Sequence, residues 1–430
     1  MNDKQVNNLI KKEISRQSYE LQLIPSENYT SSEIRKALGS IFTHKYSEGQ
    51  VGKRYYEGNE VVDEIESLCK KRALRAFGLN KNKWHVNVQA YSGSIANLAV
   101  YNALIEPGDK IMGMYLFDGG HLSHGWQYKG RKISLSSKIY KPVYYHVDPK
   151  TGEFDYDEVK KIAKKERPKI LISGGTAYPR EINHKKLAAI AKSINAYYMA
   201  DIAHEAGLVV GKANSSPFPY ADVVTMTTHK TLRGPRGTLI LCRKEFADNI
   251  NRSVFPGLQG GPFNNNIAAI AVCLKEAQSA SFKKYANQVV KNAKTLAKEL
   301  KKRNFDLVSG GTDKHLILID LGNKNIVGKY AARALKYAGI TLNMNTIPSE
   351  PNSPMNPSGI RLGTPTVTTR GMKEEEMRLI AEWIDEIVNA IQPVSDIEFD
   401  KFEKKIVKME AIREIRRRVK SLCKKFPLPK

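Results

Sequence analysis

Apolar positions along the chain fall into short continuous runs and longer stretches at helical spacing. The runs at His85–Gln89, Lys110–Met114, Lys169–Ile172, Ala196–Ala200, Val223–Met226 and Thr238–Cys242 read as strands, too short for buried helices. Ile95–Ile105 and Leu187–Ile194 lie between them at helical spacing. Strands alternating with helices predict an α/β domain built on a mainly parallel sheet. Residues 1–30 read as a polar helix running into an arm that ends in the turn-rich Pro25-Ser26-Glu27-Asn28, an arm of the kind that packs on a partner subunit. From Ile267 to Arg303 the helical period is nearly unbroken, which predicts one long helix bridging two domains. Beyond it, a strand at His315–Asp320, a helix at Gly328–Ala338, a strand at Ile340–Asn343 and a helix at Lys373–Ile391 predict a smaller α/β unit. The expected division is an arm over residues 1–30, a large domain over 31–275 and a small C-terminal domain over 276–430.

Composition narrows this picture. A chain of 430 residues is longer than one core usually serves, and 41% hydrophobic content argues against disorder. The segment from Lys401 to the end carries twelve Lys or Arg against three Glu. Its apolar residues Ile406, Met409, Ile412, Ile415, Val419 and Leu422 recur at helical spacing, so one face is expected to pack while the charges meet water. Four scattered cysteines give neither a disulfide framework nor metal-ligand spacing, and no metal is expected. No stretch is apolar enough to span a bilayer, and the first residues lack the apolar core of a signal peptide, so the expected address is the cytoplasm. The net charge of +25 leaves nucleic acid open as a partner, although no recognised binding motif or aromatic-interleaved basic stripe accompanies it.

The densest chemical signal is Asp201-Ile202-Ala203-His204, followed by Thr227-Thr228-His229-Lys230-Thr231, each at the end of a predicted strand. Ligands bind at such strand ends in open α/β sheets. A carboxylate at one end and a lysine at a neighbouring one suit pyridoxal phosphate: Asp201 keeps the pyridine nitrogen protonated and Lys230 forms the Schiff base. Either motif alone reads more readily as a capping Asp or a surface Lys; together they reverse that preference. The cofactor's phosphate needs backbone N–H groups at a helix start with small residues around them. Ser92-Gly93-Ser94 offers that, although it also serves as an ordinary turn, and Gly260-Gly261 offers a second small-residue loop. His121, in a glycine-rich loop, can stack on a pyridine ring, and Arg361 offers a fork for a substrate carboxylate.

With these residues in place, the chain closely resembles serine hydroxymethyltransferase, a fold-type-I pyridoxal-phosphate family of the aspartate-aminotransferase-like kind. The most specific stretches are Lys45-Tyr46-Ser47-Glu48-Gly49, Gly52-Lys53-Arg54-Tyr55-Tyr56, Thr227 to Thr231, Gly234 to Gly237, Phe255 to Pro262 and Gly359 to Thr369. The resemblance implies reversible transfer of the serine hydroxymethyl group to tetrahydrofolate, yielding glycine, through a pyridoxal 5'-phosphate aldimine on Lys230 and a quinonoid. It assigns Asp201 to the pyridine nitrogen, His121 to ring stacking, and His204 and Thr176 to the cofactor's surroundings. Gly93, Ser94 and His229 hold the phosphate, with Tyr46 and Gly261 from a second subunit. Ser26 and Arg361 take the amino acid carboxylate, helped by Tyr56, and Glu48 is the acid/base residue beside the substrate hydroxyl. Tyr55, Leu116, Gly120, Leu122 and Asn345 line the pterin site. Shared sites imply an obligate homodimer, with a tetramer open.

A folate-independent β-hydroxy amino acid aldolase shares Lys230, Asp201 and Arg361, whereas Glu48, Tyr55 and Asn345 favour the folate-dependent transferase; another one-carbon carrier stays open. The chain departs from the family pattern at Thr176, Glu205, Asn264, Asn265, Asn266 and Met344. Met344 stands where relatives often carry a Lys, and the lost charge is expected to weaken polyglutamyl folate. Michaelis constants for mono- and polyglutamyl tetrahydrofolate check this: Met344→Lys should favour the polyglutamyl form, and an unchanged preference refutes it.

Overall fold

In the computed structural model, which describes residues 2–429, the chain forms two compact units. One is Thr30–Asn287, and the other joins the segment ending at Tyr29 to the chain from Gln288 onward.

The Thr30–Asn287 unit is organised by a seven-stranded sheet. Its strands are β1 (Trp84–Asn87), β2 (Lys110–Met114), β3 (Lys141–Tyr145), β4 (Ile170–Ser173), β5 (Tyr197–Asp201), β6 (Val223–Thr227) and β7 (Thr238–Arg243). Their spatial order is β1-β7-β6-β5-β4-β2-β3, parallel from β6 to β3, with β7 antiparallel to both its neighbours. The interior strands β4 and β6 are buried along their whole length. Burial on both faces explains why they appear in the sequence as continuous apolar runs rather than alternating ones. Strand β3 is absent from the sequence expectations because Pro142 interrupts its pattern, and its place at the sheet edge is what permits a proline. Helix α1 (Gly93–Leu104) packs Ala96, Ala99, Val100 and Tyr101 against this sheet's core.

The long helix expected over Ile267–Arg303 is two helices, α2 (Asn264–Glu276) and α3 (Ala280–Lys302). The hydrophobic period survives the break, but Ser279 ends the first run: its Oγ accepts the Phe282 N–H at 3.1 Å and caps the second helix.

In the second unit, β8 (Asp306–Leu307), β9 (Leu316–Asp320), β10 (Asn343–Asn345) and β11 (Gly359–Gly363) form an antiparallel sheet in the order β8-β9-β11-β10. Helices α4 (Gly328–Tyr337) and α5 (Glu374–Ile391) bury Leu335, Ile380, Ile384 and Ile387 in its core. Within the arm, Leu21–Gln22 pairs in parallel with Ile340–Thr341, and Leu21 and Leu23 are buried in this same core. The helix Lys4–Tyr19 that precedes them has no buried residue. The basic tail is likewise two helices, α6 (Phe399–Ile406) and α7 (Glu410–Lys425), separated by an extended Met409. The break lets Phe402 and Ile406 face the core together with Ile412, Ile415, Val419 and Leu422.

Replacing the fully buried Ile384 by Ala removes a branched side chain from the centre of this second core. Denaturant unfolding should show a loss of about 2–5 kcal/mol; a change below about 1 kcal/mol would contradict the packing.

Candidate active site

Asp201 is the last residue of β5, and Lys230 lies three residues beyond the end of β6, the parallel neighbour. The parallel register brings both groups to the same edge of the sheet, where strand carboxyl ends meet helix starts. The Asp201 side chain is buried and both its oxygens are hydrogen-bonded. Oδ2 accepts from Asn97 Nδ2 at 2.8 Å and lies 3.1 Å from His124 Nε2, while Oδ1 accepts the Ala203 N–H at 3.0 Å. Burial opposes ionisation, but these bonds and the neighbouring imidazoles hold the carboxyl well below the usual carboxylate range. Asn97 is itself fixed by Thr225 Oγ1, which donates to its Oδ1 at 2.7 Å.

Lys230 Nζ donates to Thr227 Oγ1 at 2.9 Å. His121 Nδ1 lies 2.7 Å from Ser123 Oγ, which also accepts from Asn97. Burial, reinforced by His124, pushes the His121 imidazole down to about 4, so at neutral pH it is an uncharged flat ring. Thr176 Oγ1 donates to the Gly120 carbonyl at 2.8 Å, joining the β4 loop to the glycine-rich loop. His204 is buried, and its carbonyl accepts from Thr231 Oγ1 at 2.7 Å. Sequence spacing suggested no metal ligands, whereas the fold gathers nitrogen or oxygen atoms of His121, His124 and Asp201 within 4.8 Å of one another. The close Asp201–His124 approach is already a hydrogen bond.

The group around Asp201 fits a phosphorylated pyridine. The ionised carboxylate suits a protonated ring nitrogen, and the neutral imidazole suits the ring face. A Cβ on Gly93 would meet Thr227 Cγ2 at 2.8 Å, so only glycine lets the α1 start approach the β6 end this closely. Ser92 makes no side-chain cap there, leaving the first-turn N–H groups of α1, including that of Ser94, for an anion. His229 Nδ1 is buried without a hydrogen-bond partner among the described residues, and burial pushes that imidazole down to about 3.

The other expected residues of this unit form a separate patch. A Cβ on Gly260 would lie 3.2 Å from both Glu48 Oε1 and Tyr46 Oη, and one on Gly261 3.3 Å from the Tyr46 ring. The Tyr46 and Tyr56 rings meet edge-on at 5.4 Å, and the charge of Glu48 is the chief cause raising the Tyr56 hydroxyl. Tyr55 sets its edge on Phe255 and is 75% exposed. Arg54, unassigned in the sequence reading, fixes this loop: Nη1 donates to the Ser47 and Gly49 carbonyls on either side of Glu48, at 3.0 and 2.8 Å. Its Nε and Nη2 reach Asp63 and the wholly buried Glu66, both at 2.7 Å. The three departing asparagines are structural: Asn264 bonds to Ser47 and the Lys45 carbonyl, Asn265 to the Leu38 carbonyl and Asn266 to the Arg236 carbonyl. Glu205 is buried next to His204.

Leu116 and Leu122 open two short turns on either side of Gly120 and His121. In the second unit, Arg361 lies on β11 and its Nε donates to Asn343 Oδ1 at 3.2 Å; burial pushes its guanidinium down to about 10, still cationic at neutral pH. The arm before Ser26 is pinned to the same strand by the Gly363 N–H, which donates to the Leu23 carbonyl at 2.7 Å. Met344 and Asn345, on β10, pair with Ile360 and Gly359 of β11.

Because the His121 imidazole is depressed from 6.5 to about 4, its contribution to stability is complete above the ordinary value and is lost as pH falls toward 4. Histidine NMR of the chain free of cofactor should find it neutral at pH 6; an inflection near 6.5 would show a solvated ring instead.

A family model described as serine hydroxymethyltransferase matches residues 1–384. A protein of Acidothermus cellulolyticus named serine hydroxymethyltransferase is 49% identical over 431 residues, covering 99% of this chain and 96% of its own. One of the same name from Desulfotalea psychrophila is 50% identical over 427 residues, covering 99% of this chain and 95% of its own. With near-complete coverage at this identity, and with the Asp201, His121 and Lys230 geometry at one sheet edge, the chain belongs to the serine hydroxymethyltransferase family.

Proposed function

We propose that the residues gathered here carry out the family's reaction, the reversible exchange of a hydroxymethyl group between serine and tetrahydrofolate. The observation that carries the reading is the buried, triply bonded Asp201 carboxylate at the sheet edge that also bears Lys230. Pyridoxal phosphate, when bound, supplies the electron sink for the pair released as the serine Cα–Cβ bond breaks. Asp201 keeps a proton on the pyridine nitrogen, His121 lies on the ring face, and the α1 start with Gly93, Ser94 and His229 takes the phosphate. Lys230 is the amine to which the cofactor's aldehyde carbon attaches. Arg361 and Ser26 bind the substrate carboxylate, which orients the bond to be cleaved. Glu48 moves the proton of the substrate hydroxyl. Tyr55, Leu116, Gly120, Leu122 and Asn345 receive the pterin.

The reading includes a homodimer in which a second copy brings its Tyr46, Tyr56 and Gly261 to the cofactor. Its support is the run of exposed large side chains Ile41, Tyr46, Tyr55, Tyr56 and Phe263, a patch that a lone chain in water has no reason to expose. No helix among the described residues is long and apolar enough to cross a membrane, and the reading places the enzyme in the cytosol.

Two measurements check this. The purified protein should carry a chromophore at the visible edge, and glycine should produce a red-shifted band that tetrahydrofolate strengthens; a colourless protein that takes up no pyridoxal phosphate would overturn the reading. Glu48→Gln should lower folate-dependent serine cleavage by about a hundredfold or more, and parental cleavage by that variant would remove Glu48 from its role.

A further inference from the structure

We propose that His146 is a positioning residue: by closing a hydrogen-bonded ion pair on the buried Asp118, it holds the Tyr115–His121 loop in the shape that receives the pterin. The inference rests on the proposed reading of Leu116, Gly120 and Leu122 as the pterin site.

Asp118 closes the short turn Leu116–Asp118, and its side chain is only 5% exposed. Its Oδ2 lies 2.7 Å from His146 Nδ1, its one hydrogen-bonding side chain among the described residues. A buried carboxylate deprived of its partner must find water, which requires the turn to move. His146 directly follows β3, so the imidazole is carried by backbone at the end of a sheet strand while the carboxylate stands on a loop. The loop is also tied by Thr176 Oγ1, which donates to the Gly120 carbonyl at 2.8 Å, and by backbone bonds. Tyr115 N–H donates to the Tyr145 carbonyl at 3.0 Å, Gly120 N–H to the Tyr115 carbonyl at 3.0 Å, and Thr176 N–H to the Gly119 carbonyl at 2.6 Å. Gly119, at φ +108°, turns the chain directly after Asp118. A rotation at Asp118 therefore passes to Leu116 on one side and to Gly120 on the other, while Ser123 holds the His121 ring.

The His146 side chain is 59% exposed, so solvent protons reach it. The hydrogen bond that the imidazole donates to Asp118 is the main cause raising its pKa above 6.5; burial works against it and the Asp118 charge adds to it. The Tyr115 ring lies 5.1 Å from the imidazole and itself meets Tyr144 of β3; both hydroxyls are pushed up, Tyr144 to about 12, so neither adds charge at neutral pH. A folded value above the unfolded one means that the hold is complete below the ordinary value and is lost as pH rises through the raised one. The neutral ring keeps the bond only as its Nδ1–H tautomer, with a donor about half as strong.

The test compares the holoenzyme with its His146→Gln and His146→Lys variants, measuring Michaelis constants for tetrahydrofolate and serine from pH 6 to 9. The parent's folate constant should rise about threefold to tenfold toward the alkaline end, should be uniformly high in His146→Gln, and should stay low and flat in His146→Lys, whose cation persists. The serine constant should follow one curve in all three. Titration of the folate itself appears in every variant and cancels. Identical folate curves for parent and His146→Gln would overturn the inference. Leu122→Ala separates the two failures: if it leaves the folate constant unchanged, the pterin placement is wrong, whereas a raised constant with no His146 effect defeats the positioning role alone.

Discussion

An ionised carboxylate buried at the end of a central strand is expensive to make, and the active-site side of this unit is arranged around satisfying it. Asp201 is stable as an anion only because donors converge on it from separate places: Asn97 from helix α1, His124 from the turn after the glycine-rich loop, and the Ala203 N–H from the loop that leaves β5. Each of these must be correctly placed for the others to count. Asn97 in turn binds Thr225 on β6 and Ser123, and Ser123 holds His121. The group proposed for the cofactor's ring nitrogen and the ring proposed for its face are thus one hydrogen-bonded unit. The electrostatic demand of a single oxygen pair sets the helix, two strands and the loop in register.

The same device recurs where the chain has to shape a loop. Arg54 and Glu66 are buried charges with complete partner sets, the latter shared among Arg54, Lys70 and Gln89. Burial opposes the ionisation of Glu66, yet Lys70 and Arg54 hold it below the usual carboxylate range. Satisfying those charges ties down the carbonyls of Ser47 and Gly49, and so fixes the backbone that presents Glu48. In the second unit Arg361 is held by Asn343 on the adjacent strand. Residues that touch ligands sit on backbone immobilised by residues that do not.

The positions of the glycines follow from how closely backbone segments approach. A Cβ on Gly174 would lie 2.0 Å from the Asp201 carbonyl, and one on Gly120 would lie 2.1 Å from that of Met114. Gly174 also has φ at +115°, a conformation that L side chains rarely adopt. These contacts let the loops after β2 and β4 close directly over the end of β5.

The sheet was legible in the sequence because strands buried on both faces leave continuous apolar runs, and Asp201, His121, Lys230 and Arg361 stood out because their chemistry is unusual at strand ends and in glycine-rich loops. Local pattern failed where a period survives a change of direction, as at Ser279 and Met409, and where an edge strand tolerates Pro142. It also gave no sign of Asn97, His124 or Arg54, since an amide inside an apolar helix or an arginine in a charged loop looks ordinary until its partners are in place. The sequence alone determined the family and the α/β plan and singled out the residues proposed for the chemistry, because those depend on residue type and local spacing. Only the tertiary structure decided which buried charges are satisfied, which loop each holds, and that His146 faces Asp118, because those depend on contacts between residues far apart in the chain.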